Sequence, residues 1–307
     1  MFPPMVETAQ PEAVRRQIGR VGVWLGPIGL LPAREERAAV RRIEAAGYGA
    51  IWFGEAPQNR EALSHAGLLL AAGERISVAT GIANIWARDP IAAANGADTL
   101  NEAYDGRFVL GLGVSHAPTV RARGHHYDKP LATMRAYLDA MAARTYRAPA
   151  PERPSPVVLA ALRPRMLELA RDRTAGAHPY FVPPAHTARA RAILGPGPVL
   201  APEQVVVVET DAAPAREIGR RHMAYYLRLP NYVNNLRELG FADADFADGG
   251  SDRLVDAIVA WGDEAAISAR LAEHFDAGAD HVAVQAYARD GTEAVSWLER
   301  LAPMVLA

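Results

Sequence analysis

The sequence predicts an α/β protein built as a closed (β/α)8 barrel. Three observations point there. Short apolar runs alternate with stretches of helical period eight times along the 307 residues, with short connections between them. Runs such as PVVLAAL (156–162) and EQVVVVET (203–210) are apolar with little alternation, as in strands covered by helices on both faces. Half of the chain is hydrophobic, enough for one large core. An open doubly wound sheet is the alternative, because sequence shows repeat number better than closure.

The repeats read in order as follows. RVGVWLG (20–26) is a strand and EERAAVRRIEAAG (35–47) its helix; GAIWFGE (49–55) and EALSHAGLLLAA (61–72) form the second pair. RISVATGIANIW (75–86) is the third strand, followed by a helix over 89–104 with Asp89 as cap and Pro90 in its first turn. RFVLGLGV (107–114) leads to the helix 131–143, and PVVLAAL to the helix 163–175. AGAHPYFV (175–182), EQVVVVET and ADHVAVQAY (279–287) complete the set, with helices over 183–194, 213–229 and 292–303. A typical barrel takes roughly 250 residues. The surplus falls in an N-terminal tail (1–18) and in an insertion at about 229–260, between helix seven and strand eight, over the mouth of a single domain (19–307).

Composition narrows the function. The net charge of −2 offers no broad basic surface for nucleic acid or anionic lipid. No run of 18 apolar residues would span a membrane, and the first residues lack a secretory pattern, so a cytoplasmic protein is expected. The absence of cysteine excludes disulfides, iron–sulfur clusters, thiolate zinc and cysteine nucleophiles. Lys129 is the one lysine, so Schiff-base chemistry would rest on it.

In a parallel barrel the site gathers at the C-terminal strand ends. GLGVSHAP (111–118) is the richest of these: Gly111 and Gly113 admit a ligand close to the backbone, then Ser115 and His116 enter a loop. The segment is not a dinucleotide fingerprint, because His116 stands where a third glycine belongs. It is one residue short of a nucleophile elbow, with Ala117 in the last place, so a serine hydrolase using Ser115 is one alternative. Glu55 ends an aromatic strand and could serve as acid or base, or pair with Arg60 or another rim arginine. His178 closes strand six as a ligand contact or a structural histidine. Arg163 and Arg165 open a helix behind Pro164, a pattern that can hold an anion. Trp24, Trp52, Trp86 and Phe181 fit an apolar pocket or the core equally. His125 and His126 have no carboxylate at ligand spacing, so no metal is expected. A glycine-lined, partly cationic mouth without metal ligands suits an organic cofactor and a small-molecule substrate.

Four segments carry a resemblance: ATGIANIWARDP (79–90), GRFVLGLGVSHAP (106–118), GYGAIWFGEA (47–56) and AGADHVAVQ (277–285). Together they resemble the luciferase-like monooxygenase superfamily, and more narrowly its branch that uses the deazaflavin coenzyme F420. The resemblance runs from about residue 20 to 303. It implies a barrel with a C-terminal insertion, a homodimer, and hydride transfer between coenzyme F420 and an organic substrate. FMN with oxygen chemistry is the related alternative, and a non-catalytic flavin-binding barrel a further one. It implies a cis peptide at Gly81–Ile82 backing the cofactor ring, with Ala83 and Asn84 at the ring edge. Gly113, Val114, Ser115 and His116 would hold the ribityl and phosphate part, and Ala161, Leu162 and Arg163 the phosphate. Two departures stand out. The sugar-phosphate dehydrogenases of this branch carry an Asp-His pair where this chain has Gly54-Glu55-Ala56, and a glutamate where it has His116. Glu55 and His116 are therefore the acid/base candidates here without a matching motif, and a phosphosugar substrate is not expected.

Overall fold

The computed structural model describes residues 10–307. Eleven parallel strand segments form one curled sheet: β1 (Val21–Trp24), β2 (Ala50–Phe53), β3 (Ser77–Thr80), β4 (Ala83–Asn84), β5 (Phe108–Gly113), β6 (Val157–Leu159), β7 (Gly176–Ala177), β8 (Val199–Leu200), β9 (Glu203–Val207), β10 (Val259–Trp261) and β11 (Val282–Ala286). Neighbouring strands follow the chain from β1 through β2, β3, β5, β6 and β7 to β8, while β9 pairs β11 and β11 pairs β1. Two residues, Ala201 and Pro202, separate β8 from β9, so the run 199–207 joins the two ends of the sheet. Leu200 O accepts from Asp280 N, and Pro202 O from Ala283 N, both at 2.9 Å. The sheet thus curls into the barrel expected from eight repeats.

The helices are α1 (Pro11–Ile18), α2 (Ala33–Ala45), α3 (Ala62–Leu70), α4 (Pro90–Ala103), α5 (Ala117–Ala122), α6 (Pro130–Ala142), α7 (Pro164–Arg173), α8 (Pro184–Leu194), α9 (Ala212–Tyr226), α10 (Pro230–Glu238), α11 (Asp252–Ile258), α12 (Glu264–Asp276) and α13 (Gly291–Val305). Their starts carry the expected punctuation. Asp89, Asp211, Ser251, Asp263 and Asp290 each accept a backbone N–H of the following turn, and proline opens α4, α6, α7, α8 and α10. No helix among the described residues is long and apolar enough to cross a membrane.

Four expectations need correction. The segment 1–18 is not simply a tail: residues 1–9 lie outside the described residues, but α1 packs Val14 and Ile18 into the barrel interior with Ala50, Trp52, Val109 and Val199. Its Arg15 reaches Asp280, which also takes Arg191 and the Leu200 N–H, so one carboxylate locks α1, α8 and the closing strands. The third strand is not continuous over 75–86. It breaks at Gly81–Ile82, a cis peptide, and resumes as β4 paired to the end of β5 rather than to β2. The sixth strand is only the two-residue β7, because Pro179 follows and Phe181 sits at a positive φ of 59°. The insertion supplies α10 and α11 as expected, and also the short strand β10 on the outer edge of β9. It surrounds a second apolar cluster in which Val205 and Val207 of β9 meet Leu236, Leu254 and Val259.

Candidate active site

The C-terminal ends of β1, β2, β3, β5, β6 and β7 open into one cavity of about 1040 Å³. Its floor is set by the break in the third strand. Gly81 N donates to Phe53 O, and Glu55 N to Ile82 O, so both sides of the cis bond are tied to β2 and its loop. Ile85 N donates to Gly113 O, and the Trp86 indole N–H to Val114 O, so β4 in turn holds the loop that leaves β5. Only glycine fits at position 81: a Cβ there would lie 2.6 Å from His178 Nε2 and 2.9 Å from Trp24 Nε1. At Gly113 a Cβ would meet the Ile82 side chain at 2.4 Å.

Glu55 is the anchor of this floor. Its side chain is 3% exposed and forms a two-pronged ion pair with Arg88, at 2.5 and 3.1 Å. The same carboxylate accepts Asn84 N at 2.8 Å and Ala62 N at 3.4 Å. With its oxygens engaged in this way, Glu55 is a positioning residue rather than a free acid or base. The pairing arginine is Arg88, whereas Arg60 bonds Gly29 O and Leu31 O and pairs with the buried Glu36. Arg88 also reaches Glu61, the cap of α3. Although burial pulls the other way, the backbone N–H groups of Ser64 and Leu63, with Arg88, push the Glu61 carboxyl down to about 2.

Of the other residues singled out in the sequence, Gly81, Ile82, Gly113, Val114, Ser115, His116, Ala161, Leu162 and Arg163 all border the cavity. Ala83 and Asn84 do not. They are buried behind the floor, where Asn84 Oδ1 accepts Trp86 N and its N–H meets Glu55, so their part is to hold the bulge. His116 leans on Tyr232 with ring centroids 5.2 Å apart, and burial pushes its pKa below the ordinary 6.5, leaving it neutral at pH 7. Ser115 takes a positive φ of 58°, as an elbow would require, but among the described residues no histidine bonds its hydroxyl. That absence removes the hydrogen-bonded base on which a serine nucleophile depends. No group of three His, Asp or Glu side chains that could hold a metal occurs among the described residues.

His178 stacks on Trp52 with centroids 4.3 Å apart, and its Nδ1–H donates to Ala201 O at 2.7 Å. Burial pushes its pKa down to about 4, so the ring is neutral and Nε2 is the lone-pair nitrogen. Trp52 and Phe181 belong to the core, and Trp24 borders the cavity. The cationic end of the cavity is formed by Arg163, Arg165 and Arg189 beside the N-terminus of α7. Glu238 of α10 accepts from both Arg163 and Arg189. The lining also carries Tyr180, Tyr226 and Tyr232, which the sequence reading missed. Tyr226 ends α9, the helix before the insertion, and Tyr232 lies in α10 of the insertion; the available signal was the run of tyrosines at 225, 226 and 232 leading into the segment placed over the mouth. Behind them Glu203 of β9, 1% exposed, accepts Phe181 N, while burial raises its carboxyl to about 8.

The cavity fits an elongated organic cofactor with an anionic end. It is large enough, its floor is glycine-lined at Gly81 and Gly113, its donors cluster at one end, and Trp24 Nε1 and His178 Nε2 have no partner among the described residues.

Residues 17–281 match the family model of the luciferase-like monooxygenases, and the chain belongs to that family. A protein of Mycobacterium tuberculosis that bears the name of a coenzyme F420-dependent oxidoreductase is 32% identical over 121 residues, 39% of this chain and 35% of that protein. The 5,10-methylenetetrahydromethanopterin reductase of Methanolobus tindarius is 30% identical over 98 residues, 32% of this chain and 30% of the reductase. The aligned segments thus span about a third of these relatives. Among solved structures, an F420-dependent secondary alcohol dehydrogenase in complex with an F420–acetone adduct superposes with a TM-score of 0.75 at 14% identity, covering 93% of this chain and 98% of that one. The oxygenating constituent of 3,6-diketocamphane monooxygenase from Pseudomonas putida, in complex with FMN, gives 0.65 at 16% identity over 96% of both chains. At these identities the structures establish the shared fold.

Two predictions follow from the geometry. Glu55→Ala leaves the buried Arg88 with only the half-exposed Glu61 as partner and the Asn84 N–H without its acceptor, and should destabilise the protein by roughly 3 kcal/mol in denaturant unfolding; a loss below about 1 kcal/mol would deny the anchor role. Glu203 titrates near 8 when folded against an ordinary 4.5, so the folded state binds more protons across that window. Its contribution to stability is complete below the unfolded value and lost as pH rises through the folded one. Compared with wild type, Glu203→Gln should therefore gain relative stability from about pH 5 to about pH 8; a stability difference independent of pH would contradict the raised value.

Proposed function

We propose that this protein is a coenzyme F420-dependent oxidoreductase that moves a hydride between the deazaflavin and an organic substrate. The observation that carries the reading is the cavity floor: a glycine-lined bulge held by Glu55 and Arg88, with an arginine cluster at one end of the same cavity. The F420-dependent name of the Mycobacterium tuberculosis relative supports the choice of cofactor. In this reading Gly81 and Ile82 back the flat ring. The loop Gly113–His116 holds the ribityl part, and Ala161, Leu162 and Arg163 with the α7 N-terminus hold the phosphate. When bound, the deazaflavin supplies the carbon that gives or takes the hydride. The accompanying proton needs a side chain that can change state, and His116 fills that part: it is neutral, borders the cavity and has no hydrogen-bond partner among the described residues. The reading includes a homodimer, as the sequence resemblance implies. The second reading is an FMN-dependent monooxygenase, favoured by the FMN-bound neighbour of the same fold. Deazaflavin has carbon at position 5 and reacts poorly with oxygen, so cofactor choice separates the two.

A paired fluorescence titration of the purified protein with coenzyme F420 and with FMN tests the assignment. Binding of F420 at about micromolar Kd or tighter, with FMN at least about tenfold weaker, is the expected result. The reverse preference would move the protein to the oxygen-using reading. His116→Ala is expected to retain the F420 complex and slow its reduction or oxidation by substrate at least about 100-fold.

A further inference from the structure

The cavity lining has two chemistries. One stretch holds Arg163, Arg165 and Arg189. The other is a run of rings from β1 across the mouth: Trp24 to Tyr180 at 5.1 Å between centroids, Tyr180 to Tyr226 at 5.3 Å, Tyr226 to Tyr232 at 5.4 Å, and Tyr232 to His116 at 5.2 Å. Burial pushes the three tyrosine hydroxyls well above their ordinary value, so these are neutral phenols. His116 is neutral as well, and Glu203 behind the rings keeps its proton at neutral pH. Arg163 and Arg189 share Glu238, and Glu55 is paired with Arg88. Arg165 and Lys129 also border the cavity, but among the described residues no arginine or lysine lies over Trp24, Tyr180, Tyr226 or Tyr232. A charged group placed among the rings would lose its water and meet no opposite charge in contact with them.

The ring wall also has one directed hydrogen-bond chain. Tyr180 donates to Gln285 Oε1 at 2.8 Å, and its oxygen lies 2.8 Å from the Tyr226 hydroxyl. Since the Tyr180 proton is committed to Gln285, Tyr226 donates to Tyr180. The chain therefore runs toward Gln285 and leaves the lone pairs of Tyr226, a residue that borders the cavity, as its open end.

We infer that the aromatic wall is the substrate subsite and takes an uncharged, flat, largely apolar molecule bearing a hydroxyl group, which donates to Tyr226. This deepens the reading above and rests on it for the cofactor in the same cavity. Stacking on the rings supplies affinity, and the hydroxyl fixes orientation. Tyr226 is a positioning residue in this account, since the proton stays on the ligand oxygen that it accepts from.

Calorimetric titration of the full chain, with and without coenzyme F420, tests the inference with 2-naphthol, 2-methoxynaphthalene and 2-naphthoate as probes. The expected order is 2-naphthol about fivefold or more tighter than the methyl ether, with 2-naphthoate at least about tenfold weaker than 2-naphthol. Tyr226→Phe should abolish the preference for the hydroxyl over the ether and leave the ether's own affinity within about twofold. Tyr232→Ala should weaken both neutral probes. The inference is overturned if no naphthalene binds, if the carboxylate binds as well as the naphthol, or if Tyr226→Phe keeps the hydroxyl preference. Failure to bind F420 alone would instead count against the cofactor reading, because the order of the probes is read on the cofactor-free protein too.

Discussion

The mouth of this barrel depends on one buried ion pair. Glu55 leaves β2 and Arg88 precedes α4, and the bond between them spans the break in the third strand. The carboxylate also takes the Asn84 N–H, which fixes β4 against β5, and its own backbone N–H reaches Ile82 O. Arg88 extends the contact to Glu61 at the start of α3. Four elements thus share one charge cluster. A carboxylate accepting two backbone N–H groups and a forked guanidinium is well satisfied, so its burial is tolerated at a place where the regular ladder has stopped. Everything the cavity presents is referenced to this point: the Gly81–Ile82 floor, the Trp86 clamp on Val114, and the loop that carries Ser115 and His116.

The rest of the molecule serves to hold that mouth open and rigid. Below it, the barrel interior is filled by apolar side chains and closed by α1, with Trp52 and His178 stacked on each other. Above it, the insertion packs on β9 through an apolar cluster of its own, and its Tyr232 borders the cavity beside Tyr226 at the end of α9. Buried His178 and His116 are both neutral because desolvation disfavours their charged forms. The result is a cavity with a cationic stretch and an uncharged aromatic wall, a combination that suits an anionic cofactor beside a neutral substrate.

Much of this was legible in the sequence. Eight apolar runs with helical spacers gave the barrel, because a strand covered on both faces has a composition that no surface strand shares. The glycines at 81, 111 and 113 pointed to the mouth, and Gly81 and Gly113 border the cavity. What the sequence did not carry is contact between distant residues. Glu55 read as a catalytic acid because nothing local shows that Arg88, 33 positions away, would take its oxygens. RISVATGIANIW read as one strand because its composition stays β-like through the break, while pairing with β5 decides where the bulge falls. Ala83 and Asn84 read as cavity residues for the same reason. Tyr226 and Tyr232 were invisible as site residues because their place depends on how α9 and α10 pack over the barrel.

The central claim is that the clamped floor holds a deazaflavin ring while the arginine end holds its phosphate. A crystal structure of the protein with coenzyme F420 tests this most directly. The account predicts the ring lying on Gly81–Ile82 and the phosphate beside Arg163 at the start of α7. A ring bound elsewhere, or bound with its phosphate among the tyrosines, would contradict it.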